Sequence, residues 1–553
     1  MVRKPVSETP TSAAQAERAF RPNHTAGVTL AQLFPHATLG STEAETLVTG
    51  ITLDSRAVQE SDLYAALPGA KTHGARFAAQ AIEAGAAAIV TDAAGADIIA
   101  SGQAGAEQTS ATSTPVVVTE NLRTQLGDLA ASIYSSSTNS SGESPAPLPA
   151  LIGVTGTNGK TTTTYMVRSL LTALGHHTGL IGTIEIQSGT ETIEAKLTTP
   201  EATQLHSLRA RMGESGVDTI AMEVSSHAIE FHRISGLLYD VVGFTNLTQD
   251  HLDLHGSMEE YFNVKAELFT PQHARRGVVL VDDEWGKKLA ETASIPVQTL
   301  SVNATETKDG AEADWNVTNI RREHLGYRFT LTGPADSAGV SQTLDAHVDM
   351  PGEFNVANAA LALVMVIASG VPAAKLQEAI AAEPSPLTPS VPGRMEVVST
   401  RPAVIVDFAH NPDALERALA SVRTQEGRVI VIFGATGERD QLKRPIMGRI
   451  AAENADIVVV SDDDPHDEDP ATIRAAVIEG AQQAAARTGA TVIEAAPRAT
   501  AIHQAIQMAH ENDVVLLAGR GHETAQEVSG IMVPIDDREE ARAALVQQTS
   551  KTE

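Results

Sequence analysis

Ala150-Leu151-Ile152-Gly153-Val154-Thr155-Gly156-Thr157-Asn158-Gly159-Lys160-Thr161-Thr162 is a short apolar run that ends in a glycine-bearing turn. The apolar run reads as a buried strand, and the residues after it as a helix from about Lys160 to Leu174, stopped near Gly175. Strand, glycine turn and helix in that order make a phosphate cradle. The glycines let backbone amides point into a concavity, and the helix offers its positive end. Lys160 can reach terminal phosphates, and the Thr161 hydroxyl can serve magnesium. Strict spacing for such a loop would place glycine at Val154, whereas the nearest earlier glycine is Gly153. The bland alternative is a plain turn with a solvated lysine at the helix start. The strand before, the helix after and the Gly-Lys-Thr-Thr run all favour the phosphate reading.

Working outward, Thr219–Val224, Val241–Asn246 and Gly277–Asp282 read as further strands with helices between them, which implies a largely parallel sheet. A central ATP-binding domain over 151–390 follows. On its N-terminal side the Ser- and Pro-rich stretch 135–150 reads as a linker. Before the linker, Ala78–Asp92 and Pro115–Glu120 suggest an α/β domain over 28–134, preceded by a loose extension over 1–27. The Pro-rich stretch from Pro384 to Pro392 marks a second boundary. Beyond it the apolar runs Ala403–His410, Arg428–Thr436, Ala455–Asp463 and Asp513–Gly519 alternate with helical segments, so 391–553 reads as an open, Rossmann-like doubly wound domain. The expected fold class is α/β in three domains.

With 553 residues, 42% hydrophobic and 20% charged, the chain can bury several cores. Its 40 Lys plus Arg against 69 Asp plus Glu leave a formal charge of -29, which argues against a grip on nucleic-acid phosphates. The absence of cysteine excludes disulfides, thiolate metal sites and cysteine nucleophiles. No apolar run reaches the roughly 18 residues of a membrane span; the candidate around Ala359–Ala368 is short and Ala-rich.

Glu223 closes a strand, where ligands of open α/β sheets tend to lie, and Asn246, Asp250 and His251 follow the next strand, ahead of a helix carrying Lys265. Taken singly, His227, His251 and His255 are ordinary histidines. Their order along the chain is more telling. GTNGKTT (156–162), MEVSSH (222–227), TNLTQDHLD (245–253), GEFNVANAALA (352–362), PGRMEVV (392–398) and DFAHNPDAL (407–415) together resemble the Mur ligase family of amide-forming ATP enzymes. LDSR (53–56), TTP (198–200), VSSHAIEFHR (224–233), GERD (437–440) and GRGHE (519–523) resemble the branch that adds the third residue of the peptidoglycan stem peptide.

The resemblance implies roles residue by residue. Gly156, Thr157, Asn158, Gly159, Lys160, Thr161 and Thr162 would hold the ATP phosphates, with Thr161, Glu223 and His251 around magnesium. Lys265 would carry a carbamate, and Lys160, Glu223, His251 and Lys265 form the expected catalytic set. Asn246, Asn355, Arg394, Asp407 and His410 would complete the ATP site. Leu53, Ser55, Ala70, Lys71 and Thr72 would hold the uridine end of a UDP-muramoyl dipeptide. Thr198, Thr199, Ser225, Phe231 and Arg233 would hold its peptide, with Phe231 where the family often has glutamine.

Arg439, Asp463, Asp464, Pro465, His466, Gly519 and Glu523 would hold the incoming amino acid. His466 stands where diaminopimelate-adding relatives resemble Asp-Asn-Pro-Arg, and Asp462, Asp463, Asp464, Asp467, Glu468 and Asp469 surround it. An acidic surface should repel a carboxylate and attract an ammonium group, so the expected diamino acid is L-lysine, with L-ornithine or meso-diaminopimelate as alternatives. The resemblance further implies a cytoplasmic monomer with small-molecule substrates and neither nucleic acid nor membrane as partner. Folylpolyglutamate synthetase shares the ATP loop and His410–Pro412, but the domain carrying LDSR disfavours it. A non-catalytic nucleotide-binding scaffold is disfavoured by the joint presence of Lys160, Glu223, His251 and Lys265.

Overall fold

The computed structural model describes residues 17–18, 20–69, 72–102, 114–135, 137, 147–250, 252–302, 313–335, 341–423, 427–438 and 440–552. Three α/β domains follow one another along the chain, each built on its own sheet. The first sheet has four parallel strands, Gly50–Thr52, Asp62–Ala66, Ala88–Thr91 and Val116–Val118, adjacent in chain order.

The second sheet has eleven strands. Seven run parallel, in the spatial order Thr178–Ile181, Thr219–Glu223, Ala150–Thr155, Val241–Phe244, Gly277–Leu280, Val297–Ser301 and Trp315–Glu323. Antiparallel strands close both ends, Glu185–Ser188 with Glu191–Glu194 on one side and Gly326–Ala335 with Ser341–Val348 on the other. Covered on both faces, the central strands are apolar without alternation; every residue of Thr219–Glu223 is buried. The chain leaves Ala150–Thr155 toward one edge and later returns to its other side. The crevice beyond the C-terminal end of that strand is therefore a topological switch point, the usual ligand position in open α/β sheets.

Helix Phe354–Ala368 explains the Ala-rich run. Beyond Asn355 and Asn358 near its start it is apolar on every side, and it buries Leu361, Leu363, Val364 and Met365 in the core shared with helix Lys160–Ala173. A helical stretch without a polar face, as this one is after Asn358, belongs inside a core. No described helix is long and apolar enough to cross a membrane.

The third sheet has six strands in the order Glu396–Thr400, Ala403–Asp407, Val514–Ala518, Val429–Phe433, Ile457–Val460 and Thr491–Glu494, all parallel except the first. Part of the stretch read as a loose extension is packed: Phe20 is buried in a core of the second domain, and Arg21 pairs with Asp62 of the first. The apolar Phe20 side chain and the paired Arg21 charge both gain by leaving water.

On helix Ala202–Glu214, His206 is buried and its Nε2 lies 3.0 Å from the Ser235 carbonyl oxygen. Burial, reinforced by the Arg209 charge and opposed by the Ser235 bond, pushes its pKa down to about 4. Between that value and the unfolded value of about 6.5, the unfolded chain binds more protons than the folded one, so stability falls as pH falls through this window. His206→Gln, which keeps an N–H for Ser235, should flatten this acid limb by about 3 kcal/mol relative to the parent. Urea denaturation at pH 7 and pH 4 measures it, and identical limbs would contradict the assignment.

Candidate active site

The phosphate loop owes its shape to two glycines and to the neighbouring strand. Gly156 has φ +143° and Gly159 φ +91°. A Cβ at Gly156 would fall 1.9 Å from Thr245 Oγ1, and one at Gly159 would fall 2.4 Å from Asn358 Oδ1. Asn246, after strand Val241–Phe244, braces the turn. Its carbonyl accepts from Thr157 N at 2.9 Å, its Oδ1 accepts from Asn158 N at 3.1 Å and its Nδ2 donates to Asn158 O at 3.1 Å. Asn246 thus shapes the loop. Asn355 is buried and donates to Pro351 O at 2.8 Å while accepting from Asn358, whose Oδ1 accepts from Thr163 Oγ1 at 3.4 Å.

Lys160 curls over the loop and donates to the carbonyls of Gly156 at 3.0 Å and Thr157 at 2.8 Å. Desolvation lowers its pKa despite the opposing charges of Glu223 and Asp250, and Arg394 lowers it further. Glu223, fully buried at its strand end, accepts from Thr161 Oγ1 at 3.0 Å, from Thr183 N at 2.8 Å and from Thr183 Oγ1 at 3.0 Å. Hydroxyl and carboxylate oxygens are the hard donors that magnesium takes, so Thr161 and Glu223 fit that ion chemically. Thr183 escaped the sequence reading. Its only signal is the Gly182-Thr183 turn after an apolar strand, and a Cβ at Gly182 would fall 2.5 Å from Glu223 Oε1.

Lys265 is 1% exposed, donates to Gly156 O at 2.9 Å and lies 4.7 Å from the Tyr261 ring centre. Burial and the Lys160 charge push its pKa well down, opposed by Asp250. His255 stacks on Tyr261 and contacts Ser226 Oγ at 3.1 Å, so it supports the core of the site. His251 lies outside the described residues.

The third domain meets the loop directly. Asn158 Nδ2 donates to Asp413 Oδ2 at 3.0 Å, Asn411 Nδ2 donates to Asn158 Oδ1 at 3.4 Å, and His410 Nε2 approaches Asp250 Oδ2 at 3.9 Å. Burial lowers the His410 pKa against the pull of Asp250. Arg394 lies 4.3 Å over the Phe408 ring and 3.4 Å from His522 Nδ1. Its pKa is lowered by burial, with Glu223 and Asp407 opposing. Asp407, raised by burial, accepts from Met395 N at 2.7 Å.

A cavity of about 700 Å³ opens between the first and second domains, lined by Leu53, Ser55, Thr72, Pro200 and Glu201 among others. Ala70 and Lys71 lie outside the described residues. Thr199 Oγ1 donates to Glu223 O at 2.9 Å and accepts from Ser225 N at 3.1 Å, and Thr198 Oγ1 lies 3.1 Å from Thr183 Oγ1, which links this wall to the buried carboxylate. Ser225 caps helix Ser226–Glu230. Arg233 pairs with Glu201 at 3.0 Å and lies 5.8 Å from the ring centre of the half-exposed Phe231.

In the third domain, Asp463, Asp464 and Glu523 bring carboxylate oxygens within 4.8 Å of one another. The fully buried Arg520 enters this cluster at 2.8 Å from Asp464, 3.4 Å from Glu523 and 3.6 Å from Asp463. Burial and the neighbouring Asp463 push Glu523 up to about 8. Gly519, φ +108°, approaches Asp463, where a Cβ would lie 2.8 Å from Oδ2. His466, φ +51°, follows Pro465 and lies 3.2 Å from Glu527. Arg439 lies outside the described residues.

This geometry weakens the field argument for lysine. Asp462 is paired with Arg474, Asp464 with Arg520 and Glu468 with Arg444 through two bonds of 2.7 Å, while Asp469 caps helix Pro470–Thr488. Three of the run's carboxylates are matched by arginines, which weakens its negative field, while Asp463 still raises the pKa of Glu523 beside it.

Residues 47–134 match "Mur ligase family, catalytic domain", residues 154–366 "Mur ligase middle domain" and residues 393–521 "Mur ligase, glutamate ligase domain". A UDP-N-acetylmuramoyl-L-alanyl-D-glutamate–2,6-diaminopimelate ligase of Streptomyces avermitilis is 41% identical, covering 96% of this chain and 98% of its own. A UDP-N-acetylmuramyl-tripeptide synthetase of Leifsonia xyli is 44% identical over the same shares, 96% and 98%. The solved structure of a 2,6-diaminopimelate ligase superposes with a TM-score of 0.62 at 27% identity, covering 95% of this chain and 99% of that one. Two of these names specify 2,6-diaminopimelate, the tripeptide synthetase name specifies no amino acid, and none supports the lysine preference. The chain belongs to the Mur ligase family and is an ATP-dependent ligase.

Proposed function

We propose that this ligase joins 2,6-diaminopimelate to UDP-N-acetylmuramoyl-L-alanyl-D-glutamate, forming ADP and phosphate, in the cytoplasmic stage of peptidoglycan synthesis. One observation carries the chemistry: the phosphate loop, the Thr161–Glu223 pair, Lys265 and the Asn411–Asp413 turn of the third domain converge on one crevice. A carboxylate resists amines because its leaving group would be oxide. Transfer of the ATP γ-phosphoryl turns the glutamate carboxylate into an acyl phosphate. The amine then attacks its carbonyl carbon, and phosphate leaves with the C–O bond pair as the amine loses a proton. Lys160 would hold the transferring charge, with Arg394 reaching in from the third domain. Magnesium, held by Thr161, Glu223, His251 and a carbamate on Lys265, would neutralise phosphate charge. Leu53, Ser55, Thr72, Thr198, Thr199, Ser225 and Arg233 would hold the nucleotide peptide, and Asp463, Asp464, His466 and Glu523 the amino acid. Contact between the third domain and the loop would keep water from the acyl phosphate.

Support for diaminopimelate comes from the relatives' names. L-lysine is the second reading, favoured by His466 in the place of the expected arginine. Incubation with ATP, magnesium, the UDP-muramoyl dipeptide and equal meso-diaminopimelate, lysine and ornithine, followed by product mass, is expected to show ADP and the diaminopimelate adduct. AMP would refute the mechanism, and a predominant lysine or ornithine adduct would overturn the substrate.

A further inference from the structure

Resting on the reading of the 700 Å³ cavity as the seat of the nucleotide sugar, we propose that residues 17–18 and 20–24 form a strap that completes this seat, with Glu17 as its positioning residue. Glu17 and Phe20 line the cavity. The Glu17 side chain is 7% exposed, and its two oxygens face different domains. Oε1 accepts from Thr52 Oγ1 at 2.5 Å, and Oε2 accepts from Gln204 Nε2 at 3.0 Å. Thr52 directly precedes Leu53–Arg56, the wall contributed by the first domain. Gln204 lies on helix Ala202–Glu214, directly behind Pro200 and Glu201 on the opposite wall. One carboxylate therefore ties the two walls together.

The rest of the strap fixes where that carboxylate sits. Arg21 forks onto Asp62 of the first domain with two bonds of 2.9 Å. Gly50 leaves room for it, since a Cβ there would fall 1.8 Å from Arg21 Nη1. On the side of the second domain, Ser207 Oγ donates to Phe20 O at 2.9 Å, and the Asn23 and His24 amides each donate to the Glu214 carboxylate at 2.8 Å. Held this way, the walls keep their spacing before substrate arrives, and binding need not spend interaction free energy on docking one domain against the other.

The test uses the full chain with Glu17→Ala and Glu17→Gln, read by UDP titration calorimetry and by steady-state kinetics. Glu17→Ala should weaken UDP binding and raise the KM for the UDP-muramoyl dipeptide about tenfold, with kcat and the KM for ATP within about twofold. Glu17→Gln, which keeps an acceptor for Thr52, should restore most of the affinity. A folded Glu17→Ala protein with parental UDP affinity and nucleotide KM overturns the strap. Should that variant fail to fold, Thr52→Val removes one donor while keeping the side-chain shape, and unchanged UDP affinity there overturns it equally. A wild-type chain that binds UDP but ligates nothing contradicts the proposed reaction, and the strap is still decided by UDP affinity.

Discussion

Lys160→Met should lower the rate of phosphate release by about a hundred- to a thousandfold, the usual cost of removing one preorganised donor from a transferring charge. The argument begins with what Lys160 does without nucleotide. Its ammonium lies against the carbonyls of Gly156 and Thr157, inside the concavity that a triphosphate would enter, and its pKa is already lowered by desolvation. A cation short of solvent and held by two weak carbonyl acceptors gains much when a phosphate oxygen replaces them. Because methionine keeps the aliphatic stem, the fold should survive, and thermal unfolding should shift by no more than a few degrees. The loss should fall on kcat more than on the KM for ATP, since charge on the γ-phosphoryl oxygens grows toward the transition state. A folded variant with parental turnover would remove the phosphate loop from the chemistry.

Much of this site was legible because local pattern and tertiary position coincide there. An apolar strand followed by Gly156, Gly159 and Lys160 can form only a few structures, and the end of a central parallel strand is where such a loop finds Glu223 and Asn246. The acidic run misled for the opposite reason. Asp462, Asp464 and Glu468 look like an unbalanced field along the chain, but their partners Arg474, Arg520 and Arg444 arrive from segments 12, 56 and 24 residues away. Spacing of that kind has no periodicity to reveal it. Glu17, Arg21 and Asn23 likewise sit in a polar, featureless stretch until Thr52, Asp62, Gln204 and Glu214 supply their partners. Thr183 was hidden because a single threonine after a glycine has no distinguishing pattern.

Lys265→Ala should abolish ligation to a similar extent, about a hundredfold or more, and the reason lies in the protonation of the lysine rather than in its length. A lysine ammonium at this place would be buried, 1% exposed, beside the charge of Lys160, with the Gly156 carbonyl as its hydrogen-bond acceptor. Both burial and the like charge favour the neutral amine, and Asp250 only partly offsets them. A neutral amine carries the lone pair that adds to carbon dioxide. The N–C bond forms, one amine proton is released, and the resulting carbamate is an anion that relieves the crowding of two lysines and can serve magnesium. Protonation works against this twice, by removing the lone pair and by releasing carbon dioxide from the carbamate. Activity should therefore fall as pH is lowered through the depressed Lys265 pKa, and it should fall in buffers stripped of bicarbonate. Incubation with carbon-13 bicarbonate should give a carbamate carbonyl resonance in the wild-type protein that Lys265→Ala lacks. A short free carboxylate such as formate should restore part of the activity of that variant by supplying the missing anion. A wild-type enzyme fully active without carbon dioxide, with no such resonance, would leave Lys265 as a buried amine braced on Gly156 and Tyr261, and magnesium would then have to find its anion elsewhere.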